Sequence, residues 1–168
     1  MKKVILTALC LSLSLMFSSG IALGSEEAII ELHEQMSQRF PDLEEVRINF
    51  GGGAKWQTST MPSPHNDNLE LVINKMEYPG IEIITLGYTY EGEDYFSLNS
   101  VRVKKAGMVD FLGIDVGSAR ADVIKRFGKP SSTEGNKLTY ESESGHTEVI
   151  FIIKDNKVAE MSFNNYPD

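Results

Sequence analysis

Residues 113–130, Gly-Ile-Asp-Val-Gly-Ser-Ala-Arg-Ala-Asp-Val-Ile-Lys-Arg-Phe-Gly-Lys-Pro, write both ends of a short helix into the chain. Gly117-Ser118 starts it, with Ser118 as the expected N-cap. Val123, Ile124 and Phe127 stand three and four apart and form its buried stripe. Gly128 suits the left-handed conformation that ends a helix, and Pro130 prevents re-entry. Lys125, Arg126 and Lys129 lie at the negative end of the helix dipole. Alternating, aromatic β segments follow, so this half of the chain reads as one helix and then strands.

The first 24 residues read as a cleaved signal peptide. Lys2 and Lys3 precede an apolar run over residues 4–17, and Ala22 and Gly24 fall at the −3 and −1 positions of a cleavage site before Ser25. The run is too short, and too interrupted by Ser and Thr, for a good spanning helix. Cys10 lies inside it behind Leu9, which does not suit acylation. The expected mature chain, 25–168, then has no cysteine and must be stable from its core alone. It is expected to be a periplasmic or secreted single domain, and its length also allows two similar halves, 25–105 and 113–164. The whole chain carries a net charge of −8, and without Lys2 and Lys3 it carries −10. That balance argues against nucleic acid and anionic membrane surfaces, which need clustered Lys and Arg. It suits solubility or a basic partner.

Residues 26–40 read as an amphipathic helix through Ile29, Leu32, Met36 and Phe40, capped by Ser25 and stopped by Pro41. Residues 43–50 read as a strand, because Val46, Ile48 and Phe50 alternate with polar residues. Residues 51–68 read as a long loop. Its Gly51-Gly52-Gly53 is no phosphate loop, since Lys55 is followed by Trp56. Residues 69–76, 81–90 and 95–104 read as a meander of strands, as do 137–141, 146–154 and 157–164. Asp155-Asn156 is a tight hairpin turn. Val158, Met161 and Phe163 give the last strand an edge-like pattern.

The stretch 114–163, through Gly117-Ser118, Val123-Ile124, Phe127-Gly128-Lys129-Pro130, Tyr140 and Val149 to Phe151, resembles a half-repeat of exported bacterial proteins: the beta-lactamase inhibitor proteins and the SmpA/OmlA small lipoproteins. The resemblance implies an α+β fold, one or two helix-plus-meander units with helices on one face of an antiparallel sheet. It also implies that the other face receives a protein. The motif residues build the fold and are not catalytic. The inhibitors' cysteines and the lipoproteins' lipobox are missing, so neither inhibition nor anchoring carries over.

No nucleophile stands beside a base in a recognisable motif. His33, His65 and His146 are isolated, so no metal or other cofactor is expected. The expected function is a non-enzymatic binding module meeting a protein partner. Its candidate contacts are Tyr88, Tyr90 and Tyr95, which together with Phe96 flank the acidic turn at 91–94, and Trp56 as a second anchor. The same tyrosines suit cross-strand pairing, and Trp56 equally suits covering the core edge. The alternative is a small-ligand or metal site in the 51–68 loop, through His65, Asp67 and Glu70.

Overall fold

The computed structural model describes residues 24–50, 54–63, 66 and 68–166. Apart from Gly24, the expected signal peptide lies outside the described residues, as do His65 and Asp67. The elements run α1 (Ser25–Arg39), α2 (Leu43–Phe50), β1 (Lys55–Pro62), β2 (Glu70–Tyr78), β3 (Ile81–Tyr90), β4 (Glu93–Val103), α3 (Arg120–Phe127), β5 (Ser132–Glu134), β6 (Lys137–Glu141), β7 (Thr147–Lys154) and β8 (Lys157–Asn165). The strands form one antiparallel sheet in the order β1-β2-β3-β4-β8-β7-β6-β5. Each half of the chain therefore supplies four consecutive strands, where three were expected. Sheet outweighs helix, so the α+β expectation holds only in its coarser form, an antiparallel sheet with a few helices.

The helix expected from its caps is α3, with one shift. Its N-cap is Ala119, whose N–H is accepted by the Asp122 carboxylate at 3.3 Å. The Ser118 hydroxyl instead accepts the N–H of Asp115 at 3.0 Å, holding the preceding turn. Gly128 ends the helix at φ +73°, as its lack of a Cβ allows. Val123 and Phe127 are fully buried. Phe127 packs against Tyr140 and Phe151 of the sheet, with ring centroids 5.4 and 5.1 Å away.

Residues 43–50 are helical, not a strand. Leu43, Val46 and Phe50 fit a helical stripe as well as Val46, Ile48 and Phe50 fit alternation, and packing decides between them. Val46 is fully buried, whereas Ile48 is 66% exposed. Phe50 stacks on Phe40 and tilts against Tyr78. The Asp42 carboxylate caps the helix by accepting the N–H of Glu45 at 2.8 Å.

Most of the expected 51–68 loop that is described is β1, paired with β2 from Lys55↔Glu77 to Pro62↔Glu70. Its exposed Gln57, Thr58, Ser59 and Thr60 offer no hydrophobic alternation. It is a polar edge strand specified by its partner's free hydrogen-bonding groups.

β8 is central, hydrogen-bonded to β4 on one side and β7 on the other. Its edge-like pattern arises from a bulge. The register slips from Ile152↔Glu160 to Ile153↔Val158, leaving Ala159 extra, so Val158 and Met161 share the buried face despite a spacing of three. The Asp155-Asn156 turn holds as expected, with both residues at positive φ, 51° and 61°.

The core lies between the sheet and the helices. Ala28, Ile29, Leu32 and Met36 of α1 are buried with Val101, Val149, Phe151 and Phe163 of the strands. α1 belongs to the first half but docks on the second, packing on α3, β6 and β7. The Arg126 guanidinium pairs with Glu31 at 2.6 Å. The Gln35 side chain donates to Asp110 and accepts from the Leu112 N–H, and Arg39 donates to the Met108 carbonyl. The two halves thus share a single core.

Candidate functional site

Strand alternation gives the sheet two unlike faces. On β3, Ile81, Ile83 and Thr85 are buried beneath the helices. Glu82, Ile84, Leu86, Tyr88 and Tyr90 point the other way. Ile73, Lys75 and Glu77 of β2, Arg102 of β4, Glu160 and Ser162 of β8, and Ile150 and Ile152 of β7 share that second face by register. The helical contacts described above all fall on the first face.

A row of ion pairs crosses the second face. Lys75 bridges Glu77 at 2.9 Å and Glu82 at 2.8 Å, Arg102 reaches Glu82 at 3.8 Å and Glu160 at 3.5 Å, and Lys104 reaches Glu160 at 3.9 Å. Glu77 and Glu82 are direct cross-strand partners. Two carboxylates so placed repel unless a cation lies between them, and the Lys75 ammonium fills that role. The Glu82 and Glu77 carboxylates hold the Lys75 ammonium above its ordinary pKa, and Lys75 in turn holds Glu77 below the usual carboxylate value. Half-buried Ile73, Ile84 and Leu86 lie beside the row on β2 and β3, and half-buried Ile150 and Ile152 continue it on β7. The arrangement orders charge and apolar surface without bringing a nucleophile to a base.

The candidate residues from the sequence do not form one patch. Tyr88 and Tyr95 are direct cross-strand partners, with rings stacked 4.8 Å apart and 11° from parallel. This is the pairing that their positions also suited. Tyr90 lies opposite Glu93 at the same hairpin, 47% exposed. Trp56 stands opposite Met76, on the helix-covered face. Its N–H donates to the Thr58 hydroxyl at 3.0 Å, and the Arg47 guanidinium sits 4.4 Å from its ring centroid. Trp56 therefore covers the core edge beneath α2. It cannot join the tyrosines in one contact, because it faces the opposite side of the sheet.

Of the alternative loop site, His65 and Asp67 lie outside the described residues. Glu70 is an exposed residue starting β2. Among the described residues, no three His, Cys, Asp or Glu side chains are grouped to hold a metal ion. His33 tilts against Phe163, with ring centroids 6.1 Å apart.

The ion-pair row escaped the sequence reading. Its signal is charge at alternate positions, Lys75 with Glu77 and Arg102 with Lys104. That signal acquires meaning only once the register sets β2, β3, β4 and β8 side by side. No helix among the described residues is long and apolar enough to cross a membrane. No protein-family model, curated protein or solved structure matches this chain.

Proposed function

We propose that this chain is an exported, non-enzymatic binding module of the bacterial cell envelope, built from two helix-plus-meander units, that meets a protein partner through the sheet face opposite the helices. The observation that supports this reading is the ion-paired row across that face, bordered by half-buried aliphatic side chains on β2 and β3 and at its β7 end. A soluble monomer would be expected to present polar residues there. The resemblance of residues 114–163 to the half-repeat of exported binding proteins agrees with it, as does the signal-peptide anatomy of residues 1–24.

The test is capture from envelope extract with tagged 25–168, alongside an Ile73→Thr, Ile84→Thr, Ile150→Thr variant. Threonine keeps the β-branched shape of the strands while removing apolar contact. One protein recovered near stoichiometry, and lost with the variant, supports the reading. A protein retained by the variant, or none recovered, sinks it.

A further inference from the structure

Three concavities join along one flank of α1, on the side opposite the ion-paired row. The first, about 440 Å³, lies between the N-terminal half of α1 and the β6–β7 hairpin. The second, about 280 Å³, lies beneath the C-terminal half of α1. The third, about 540 Å³, lies between the start of α2 and the outer ends of β2, β3 and β4. His33 and Asn165 line both the first and the second, and Phe96 lines both the second and the third. They form one trough.

Its electrostatics are one-sided. Glu26 and Glu34 line one end, and Asp42, Glu44 and Asp94 line the other. No Lys or Arg lines any part of it among the described residues. None of these five carboxylates is ion-paired among the described residues. The carboxylates alternate with apolar surface from Ile30, Leu43, Val72 and Phe96.

A separate observation points to a bound backbone. Asn74 is 9% exposed and lines the third concavity. Its side-chain oxygen accepts from Thr58 at 2.9 Å, while its amide nitrogen donates to no described group. The nitrogen is reached by solvent, so water serves it in the free protein and a peptide carbonyl laid in the trough would take that water's place.

We propose that this trough binds an extended peptide segment of another protein, bearing Lys or Arg side chains and lying alongside α1. Cationic groups would meet the carboxylates at the two ends, intervening apolar side chains would sit against Leu43 and Phe96, and a backbone carbonyl would accept from Asn74. The 15 residues of α1 span about 22 Å at the helical rise, which matches about seven residues of extended chain. The proposal concerns a different surface from the uncovered sheet face, and each can fail without the other.

The test is fluorescence anisotropy of 25–168 with a labelled peptide of about eight residues alternating Lys and Leu. Its counterpart alternating Glu and Leu is the charge control. Asp42→Asn, Glu44→Gln and Asp94→Asn together remove the carboxylates at one end, and Asp42→Asn keeps a side-chain oxygen able to cap α2. Glu134→Gln, Glu141→Gln and Asp155→Asn remove the same charge at exposed sites outside the trough. The expected result is binding of the Lys peptide alone. The trough variant should weaken it at least tenfold and the outside variant less than twofold, with both variants folded by circular dichroism. Equal weakening by the two variants would reduce the effect to net charge and overturn the proposal, as would binding of the Glu peptide or no binding of the Lys peptide to the unaltered chain. The Ile73→Thr, Ile84→Thr, Ile150→Thr variant should bind the Lys peptide normally, whatever the outcome of envelope capture.

Discussion

The Tyr140 hydroxyl donates to the Gly128 carbonyl at 3.2 Å, joining β6 to the residue that ends α3. Tyr140 is fully buried, its ring against Phe127 and Phe151, so this bond satisfies the one polar atom of a large core side chain. It also explains how the helix stop is read: the glycine carbonyl released by the left-handed turn is taken up by the sheet. Tyr140→Phe keeps the ring packing and removes that bond. It should cost about 1 kcal/mol in urea unfolding at neutral pH. An unchanged midpoint would show the bond contributes nothing net.

The same side chain makes the fold sensitive to base. Burial pushes the Tyr140 phenol up to about 12 from its ordinary value near 10. Between those values the unfolded chain releases the proton and the folded chain keeps it. The stability is therefore complete below about pH 10 and is lost as pH rises through about 12, by roughly 2–3 kcal/mol. Tyr140→Phe should flatten the alkaline limb of a stability–pH curve. Burial raises Tyr78 and Tyr166 as well, so part of the slope should remain. A variant curve parallel to the wild-type curve would refute the assignment to Tyr140.

Arg47 and Trp56 couple α2 to the edge strand. Arg47→Ala should cost about 0.5–1 kcal/mol, the range for a partly exposed cation–π contact. The single tryptophan gives a direct readout, since losing the guanidinium should change its emission with secondary structure unchanged. An identical emission spectrum would mean that Arg47 does not cover the ring in solution.

The Tyr88–Tyr95 stack is stabilising in its own right. A double-mutant cycle to Ala should show a coupling of about 0.5–1 kcal/mol. Additive single effects would leave the pair with no structural role and favour reading both rings as contact surface alone.

The halves should not separate. α1 docks on α3, β6 and β7, and β4 pairs with β8 along the centre of the sheet, so each half lacks part of its core without the other. Residues 25–168 should unfold in one transition with matching circular dichroism and fluorescence midpoints, and 25–105 alone should not fold. Two resolved transitions would contradict the shared core.

Local chemistry determined much of this protein from sequence alone. The stop at Gly128, the Asp155-Asn156 turn, the stripe of α1 and most of the inner strands all rest on contacts within a few residues, where caps, turn conformations and alternation act. The remainder was decided by partners distant in the chain. Residues 43–50 satisfy both a helical and an alternating pattern, and burial of Val46 against the core selects the helix. β1 has no hydrophobic signature and exists because β2 offers an edge. The bulge at Ala159 breaks the spacing that would have marked β8 as central. The candidate site divides in the same way. The tyrosines were visible as residues, but only the register made Tyr88 and Tyr95 a pair, set Trp56 on the opposite face and aligned Lys75, Glu82, Arg102 and Glu160 in one row. Side-chain type is a property of the sequence, whereas which side chains face one another is a property of strand pairing, and pairing is settled by the whole core at once.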